Sequence, residues 1–174
     1  MYADNTLTPR EAIRLCALGI LAAGPQPYDD VVFAVRHFVS RMTGPSLDLM
    51  GESIELLRFE GLVVGTAGPQ APLAITEQGC LVLADLLRAN VRAGSGAMND
   101  LVIALKIRFL HLLSAEERCN QAELMIEACE IELARIEDLN VDESGHLADW
   151  LAIEARRLNE RIAFLKKLTG EDHS

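Results

Sequence analysis

Side chains that can contact phosphate groups are concentrated between positions 36 and 53 of this sequence. Arginine, histidine and serine side chains donate hydrogen bonds to phosphate oxygens, and arginine also neutralises phosphate charge. The candidates are Arg36, His37, Arg41, Ser46 and Ser53. Their residue types fit contact with the backbone of a nucleic acid. For Arg36 and Arg41 the alternative is an ordinary solvent-exposed surface that pairs with nearby acids such as Asp29 and Asp30.

Carboxylates in the same segment oppose that chemistry. The predicted helix over residues 46–60 contains one cation, Arg58. Its acids are Asp48, Glu52, Glu55 and Glu60. A carboxylate can accept a hydrogen bond from cytosine, but it repels the phosphate backbone. The helix therefore fits either the edge of a DNA groove or an acidic surface for a protein partner, and both interpretations stay open.

The cysteines and histidines show no spacing typical of metal binding or catalysis. The four cysteines are Cys16, Cys80, Cys119 and Cys129. None belongs to a Cys-x-x-Cys pair, and no histidine lies at ligand spacing from any of them. We expect reduced thiols, no metal and no cofactor. Neither a pair of nucleophile and base nor a phosphate-binding glycine loop can be identified, so we expect a protein that is not an enzyme.

Composition and charge limit the class of protein further. Half of the 174 residues are hydrophobic and 5% are aromatic, which favours helices packed on helices. No apolar run reaches the roughly 18 residues of a membrane span, and the polar N-terminus lacks the order of a secretion signal. We expect a soluble, cytoplasmic protein with no membrane partner. The formal net charge is −10, of which −7 falls on residues 93–174, so that part disfavours contact with polyanions.

The order of elements over residues 8–92 is typical of a winged helix-turn-helix. Thr8, Pro9 and Glu11 mark the start of the first helix with a capping box. Gly61 follows the third helix, where a left-handed conformation is often needed. The other elements are a helix over 28–42, a helix over 46–60, strands over 62–64 and 72–75, and a helix that begins after Thr76.

Beyond a flexible connector at 92–97, the sequence predicts three more helices. They span residues 98–113, 114–139 and 144–168, and the second opens with a capping box of Ser114 and Glu117. Apolar residues of the last two recur at spacings of three and four, which is typical of helices that pair along their length. In the last helix this seam includes Leu151, Leu158, Ile162 and Leu165. The spacing leaves open whether the seam lies within a chain or between chains. The expected domains are residues 1–92 and 93–174.

Four short motifs occur in order along the first part of the chain. They are Ala17-Leu18-Gly19-Ile20-Leu21, Gly24-Pro25 with Tyr28, Leu56-Leu57-x-x-Glu60-Gly61-Leu62-Val63 and Ile75-Thr76-Glu77-x-Gly79. Together they resemble the PadR family of bacterial winged-helix transcription regulators, including its AphA-like members. The resemblance covers residues 8–92, and the C-terminal part is similar to the helical region of the family in architecture alone.

The resemblance implies a mainly α fold: an N-terminal winged helix-turn-helix with a two-stranded wing, followed by a C-terminal antiparallel helical dimerisation region. It implies a homodimer that binds a palindromic site in double-stranded DNA, with the seam of the last helix at the dimer contact. It also suggests a small hydrophobic effector, for which Trp150 is either a pocket residue or ordinary packing. The alternative function is a winged-helix interaction module that has lost DNA binding and engages a basic protein partner through its acidic third helix.

Overall fold

A computed structural model defines the fold over residues 6–44, 50–65, 71–94 and 96–169, and for residues 50–53 it describes the backbone alone. The helices are α1 (Pro9–Leu21), α2 (Tyr28–Thr43), α3 (Met50–Phe59), α4 (Glu77–Arg88), α5 (Ala97–Phe109), α6 (Ala115–Asn140) and α7 (His146–Leu168). A 3₁₀ turn at Leu110–Leu112 extends α5. The strands are β1 (Gln26–Pro27), β2 (Val63–Val64) and β3 (Pro72–Ile75). The expected mainly α fold is confirmed.

The small sheet has three antiparallel strands in the order β1-β3-β2. Strands β2 and β3 form the predicted wing, with Val63 opposite Ile75. The third strand was not predicted, because the segment before α2 was interpreted only as a helix stop. There Gln26 pairs with Leu73, which ties the start of α2 to the wing. The tip of the wing, residues 66–70, lies outside the described residues.

Local signals in the sequence set the ends of the winged-helix elements as predicted. The Thr8 side chain accepts from the backbone N–H of Glu11, and the Glu11 side chain accepts from the backbone N–H of Thr8. Gly61 has φ +73°, and the N–H of Leu62 donates to the carbonyl of Leu57 at 2.9 Å. This is the Schellman arrangement that satisfies the last carbonyls of a helix. It directs the chain from α3 straight into β2.

One hydrophobic core joins α1 to α4 and the sheet, and α5 belongs to it as well. Leu101, Leu105 and Phe109 of α5 are buried in this core. A Cβ placed on Gly19 of α1 would lie 2.7 Å from the Phe109 ring, so the two helices meet where the sequence has no side chain. The core therefore extends beyond the domain boundary predicted at residue 92. We refer to β1 to β3 and α1 to α5 together as the winged-helix unit.

Helices α6 and α7 form an antiparallel hairpin, which we call the arm. The Cys119 thiol near the start of α6 donates to the Thr169 carbonyl just after α7, at 3.6 Å. Met125 and Cys129 of α6 are buried with residues of α7 and with Ile103 of α5. The seam predicted for the last helix thus lies within the chain, and it also packs the arm against α5.

Candidate nucleic-acid interface

The solvent side of α2 presents cations. Val31, Val35 and Val39 are buried against the core, so side chains on the opposite side of this amphipathic helix face solvent. Three of the residues predicted to contact phosphate are exposed there, namely Arg36, His37 and Arg41. Phe33, which is 69% exposed, stacks on the His37 ring with 5.8 Å between the ring centroids. The stacked pair leaves an aromatic surface beside the cations.

Arg36 and Arg41 make no ion pair with any other residue in the described part of the chain. Asp29 and Asp30 lie in the first turn of α2, whereas Arg41 lies in its last turn. A carboxylate in the first turn of a helix is favoured by the helix dipole. The two guanidinium groups are therefore available for an anionic partner such as a phosphate.

The described half of α3 buries two side chains, leaves Arg58 half-buried and exposes the others. Ile54 and Leu57 are each 1% exposed, whereas Leu56 is 40% exposed and Phe59 is 90% exposed. The helical spacing suggested that Phe59 faces inward with Ile54 and Leu57, because an aromatic residue in an amphipathic helix usually lies on the buried side; its exposure shows that this prediction is wrong. Phe33 was not singled out from the sequence. Of the other predicted phosphate contacts, Ser46 lies outside the described residues and the side chain of Ser53 is not described.

Two described acids at the C-terminal end of α3 are paired within the chain, one in its last turns and one just after it. Glu55 lies 3.4 Å from the Arg58 guanidinium, and Glu60 pairs with Arg14 of α1. Burial raises the pKa of the Tyr28 hydroxyl. The charge of Glu55 and the hydrogen bond between Tyr28 and Glu55 raise this pKa further. These contacts reduce the repulsion that the acids of α3 would exert on a phosphate backbone.

The arm buries most of the residues predicted for dimerisation. Leu151 is 2% exposed, Ile162 is 7% exposed and Leu165 is fully buried, while Leu158 packs on the same cluster. The apolar side chains that α7 leaves at the surface are different ones: Leu147, Trp150, Ile153 and Phe164, with 43 to 55% of each exposed. Trp150 thus lies at the surface of the arm.

A cavity of about 340 Å³ lies beside the connector between α4 and α5. Its apolar lining includes Leu7, Met98 and Val102, and its polar lining includes Asn90 and Asn99. Trp150 is not among the residues that line it. The exposed aromatic residue that was considered for a ligand pocket therefore does not contribute to this cavity.

Within the described ranges, no group of histidine, cysteine, aspartate or glutamate side chains could hold a metal ion. All four cysteines are free, and burial raises the pKa of the Cys16 thiol to about 12. A thiol with so high a pKa is a poor nucleophile at neutral pH. None of the described helices combines the length and the hydropathy that crossing a bilayer requires.

Comparison with known proteins gives a family match that covers nearly the whole chain. A family profile described as "Putative AphA-like transcriptional regulator" matches residues 2–169. A search of curated proteins finds no significant match.

Solved structures of Bacillus subtilis PadR also match. PadR alone superposes with a TM-score of 0.41 and 16% identity, covering 97% of this chain and 99% of that chain. PadR in complex with operator DNA superposes with a TM-score of 0.40 and 16% identity, covering 90% of this chain and 97% of that chain. PadR in complex with p-coumaric acid superposes with a TM-score of 0.41 and 14% identity, covering 97% of this chain and 100% of that chain. Because these TM-scores are low, only the family profile bears on the assignment of this chain.

Proposed function

The chain belongs to the AphA-like family of transcriptional regulators, and on that premise we propose that it binds operator DNA as a homodimer in the cytoplasm. The observation that carries the proposal is a winged helix-turn-helix whose α2 presents Arg36 and Arg41 to solvent, each without an ion-pair partner among the described residues. The proposal includes no catalytic step.

The proposed DNA contact follows the usual docking of a helix-turn-helix, in which the second helix of the motif enters the major groove and the first crosses the backbone. In this chain, α3 enters the groove and α2 lies over the phosphates. Arg36, His37 and Arg41 contact phosphate oxygens from α2. Ser46, which precedes α3 in the sequence, and Ser53 of α3 are the further donors that we propose.

The proposed dimer contact uses the arm. Leu158, Ile162 and Leu165 support it indirectly, because they hold α7 against α6 within one chain. Leu151 is likewise buried within the chain. In this proposal, the direct contact between the two chains is made by the exposed apolar side chains of α7, which include Trp150 and Ile153. Burying such side chains between two chains is the main source of free energy in a homodimer interface.

A small hydrophobic effector fits the cavity beside the connector. The cavity volume of about 340 Å³ lies at the lower end of the range for small-molecule sites. An effector there would contact the N-terminal segment, the connector and the start of α5 at once. We propose that its binding alters the relation between the winged-helix unit and the arm.

Binding to pooled genomic DNA fragments at two salt concentrations tests the proposal. We expect enrichment of a palindrome at low salt and a steep loss of affinity at the higher salt concentration, because phosphate contacts release counterions. Arg36→Ala should weaken capture, whereas Arg156→Ala, which removes an exposed arginine of the arm, should not. Absence of any enriched sequence at low salt would contradict operator binding.

A second candidate is supported by the exposed end of α3. Phe59 is 90% exposed and lies beside Glu60, which is a suitable surface for a basic protein segment with an apolar anchor. On this account the winged helix binds a protein partner and no DNA. The two candidates separate in the fragment experiment, since only the first predicts salt-sensitive capture of a palindrome.

A further inference from the structure

Lys106 in the middle of α5 is fully buried, and its ammonium group contacts oxygen atoms from two other parts of the chain. It donates to the Leu87 carbonyl at 2.7 Å, to the Gln121 side-chain oxygen at 2.7 Å and to the Ala89 carbonyl. An ammonium group has three protons and no acceptor. Its hydrogen-bonding capacity therefore matches the three oxygens around it.

The carbonyls that Lys106 contacts belong to the C-terminal end of α4. The last carbonyls of a helix have no partner within the helix and lie at the negative end of its dipole. A buried cation at this point satisfies two of them and is itself stabilised by the dipole. Burial nevertheless lowers the pKa of Lys106 from 10.5 to about 8, so the group remains largely charged at neutral pH.

Helix α6 supplies the rest of the junction. The Gln121 amide donates to the Arg88 carbonyl at 3.0 Å, so the carbonyls of residues 87, 88 and 89 are all bound from α5 or α6. Four residues earlier on α6, Glu117 accepts from the Arg88 guanidinium at 2.7 Å. Residues four apart share one face of a helix, so side chains from the first two turns of α6 form hydrogen bonds with the last turn of α4.

This junction lies between the winged-helix unit and the arm. The arm also packs against Ile103 of α5 through an apolar cluster, and Arg161 of α7 pairs with Asp100 of α5 at 2.9 Å. Apolar packing has little directional preference, and the Arg161 pair is partly exposed to solvent. The buried hydrogen bonds of Lys106 and Gln121 are directional, so they restrict the angle of the arm most strongly.

We propose that Lys106 and Gln121 are positioning residues that fix the angle between the arm and the winged-helix unit, and so set the separation of the two α3 helices in a dimer. The second half of this proposal rests on the proposed function. The first half concerns one chain and holds without DNA or a partner subunit.

A distance measurement within one chain tests the first half. A spin label on Cys80, which is exposed on α4, is paired with a label at Arg156→Cys on α7, in a Cys119→Ser background and diluted with unlabelled protein. We expect a narrow distance distribution for the parent protein. Lys106→Met, which keeps the length of the side chain but removes its donors, should broaden or shift the distribution.

Two further variants keep this measurement decisive. Lys167→Met on the exposed side of α7 is the matched control and should leave the distribution unchanged. If Lys106→Met fails to fold, Gln121→Met removes one acceptor of the ammonium and should broaden the distribution to a smaller extent. Unchanged distributions in the folded variants, with the helical circular dichroism signal retained, would overturn the proposal.

Binding to a full palindrome and to a single half-site tests the second half. The probe is the palindrome enriched from pooled genomic fragments, and Lys106→Met should weaken binding to it by at least about tenfold, because two linked sites gain affinity only when both can engage. Binding to the half-site should be unchanged. Equal loss on both probes would indicate simple destabilisation and overturn the positioning role. If the parent protein binds neither probe, the proposed function fails while the distance measurement still decides the first half.

Discussion

At the scale of single residues, the charge on the side that we propose to face DNA could be predicted only in part. From their residue types, the sequence predicts Arg36 and Arg41 as phosphate contacts, and the structure places both at the surface. The pairing of Glu60 with Arg14 could not be predicted, because the two residues are 46 positions apart and meet only when α1 packs on α3. The acidic character of α3 therefore overstates, for the described residues, the negative charge that a phosphate backbone would meet.

Capping residues were predictable because their signals are local. Ser114 and Glu117 form the second capping box as expected, with the Ser114 hydroxyl and the Glu117 carboxylate 2.8 Å apart. Glu117 also binds Arg88, and that contact was not predictable, since it depends on how α4 and α6 meet. One carboxylate therefore both begins the arm and ties it to the winged-helix unit.

The pKa of Glu117 gives a pH-dependent prediction. The hydrogen bonds from Ser114 and then from Arg88 lower the pKa of this carboxyl from 4.5 to about 2. Its contribution to stability is therefore present above pH 4.5 and is lost as the pH falls towards 2. We expect Glu117→Gln to be less stable than the parent at pH 7 in urea unfolding, with a difference that shrinks between pH 4.5 and 2.

The control for this prediction is Glu116→Gln, which changes the exposed neighbouring carboxylate. It should not reproduce the pH-dependent difference. If the difference in unfolding free energy between Glu117→Gln and the parent stays constant from pH 7 to 2, the ionised form of Glu117 does not contribute to stability.

At the scale of elements, strong periodic or capped segments were predictable and elements that depend on distant partners were not. Strand β1 has two residues and includes Pro27, so nothing in its own sequence distinguishes it from a turn. It exists because β3 pairs with it. Helix α5 is apolar on several sides over residues 101–105, which gives no single buried face. Its role in both the core and the junction with the arm appears only in the packing.

The seam between α6 and α7 gives a prediction at this scale. Because Ile162 is buried within one chain, Ile162→Asp should destabilise the arm by about 3–5 kcal/mol, the typical cost of an uncompensated buried charge. We expect loss of helical signal and earlier thermal unfolding. Ala163→Asp introduces the same charge at the exposed next position and should have little effect. A fully folded monomer from Ile162→Asp would instead place the seam between chains.

At the scale of the whole molecule, the sequence predicts an association of chains but does not identify the surface. The periodic seam suggested Leu158 and its neighbours as the dimer contact, but these side chains pack against other residues of the same chain. The exposed apolar residues of α7 stand outside the repeating pattern, so periodicity alone could not identify them. Which apolar side chains of α7 remain exposed in one chain depends on how the arm packs against α5, and this packing is not encoded in the local pattern.

The proposed dimer can be tested on that surface. Ile153 is 48% exposed on α7, so Ile153→Asp should leave the arm folded but place a charge in the proposed interface. We expect the mass in solution at micromolar concentration to fall from that of a dimer to that of a monomer. Asn159→Asp adds the same charge to an exposed residue of α7 outside this apolar set and should remain dimeric. If Ile153→Asp keeps the dimer mass, the interface lies elsewhere.

The most direct test of DNA binding is the salt dependence of affinity for the enriched palindrome. Each phosphate contact contributes about −0.9 to the slope of log affinity against log salt concentration. Arg36→Ala combined with Arg41→Ala should therefore reduce the steepness of that slope by about 2 per winged-helix unit, and it should weaken binding at low salt. The pair Arg156→Ala and Lys167→Ala removes two exposed cations of the arm and should leave the slope unchanged. An unaltered slope in the α2 variant, or no binding of the parent protein at low salt, would contradict the account.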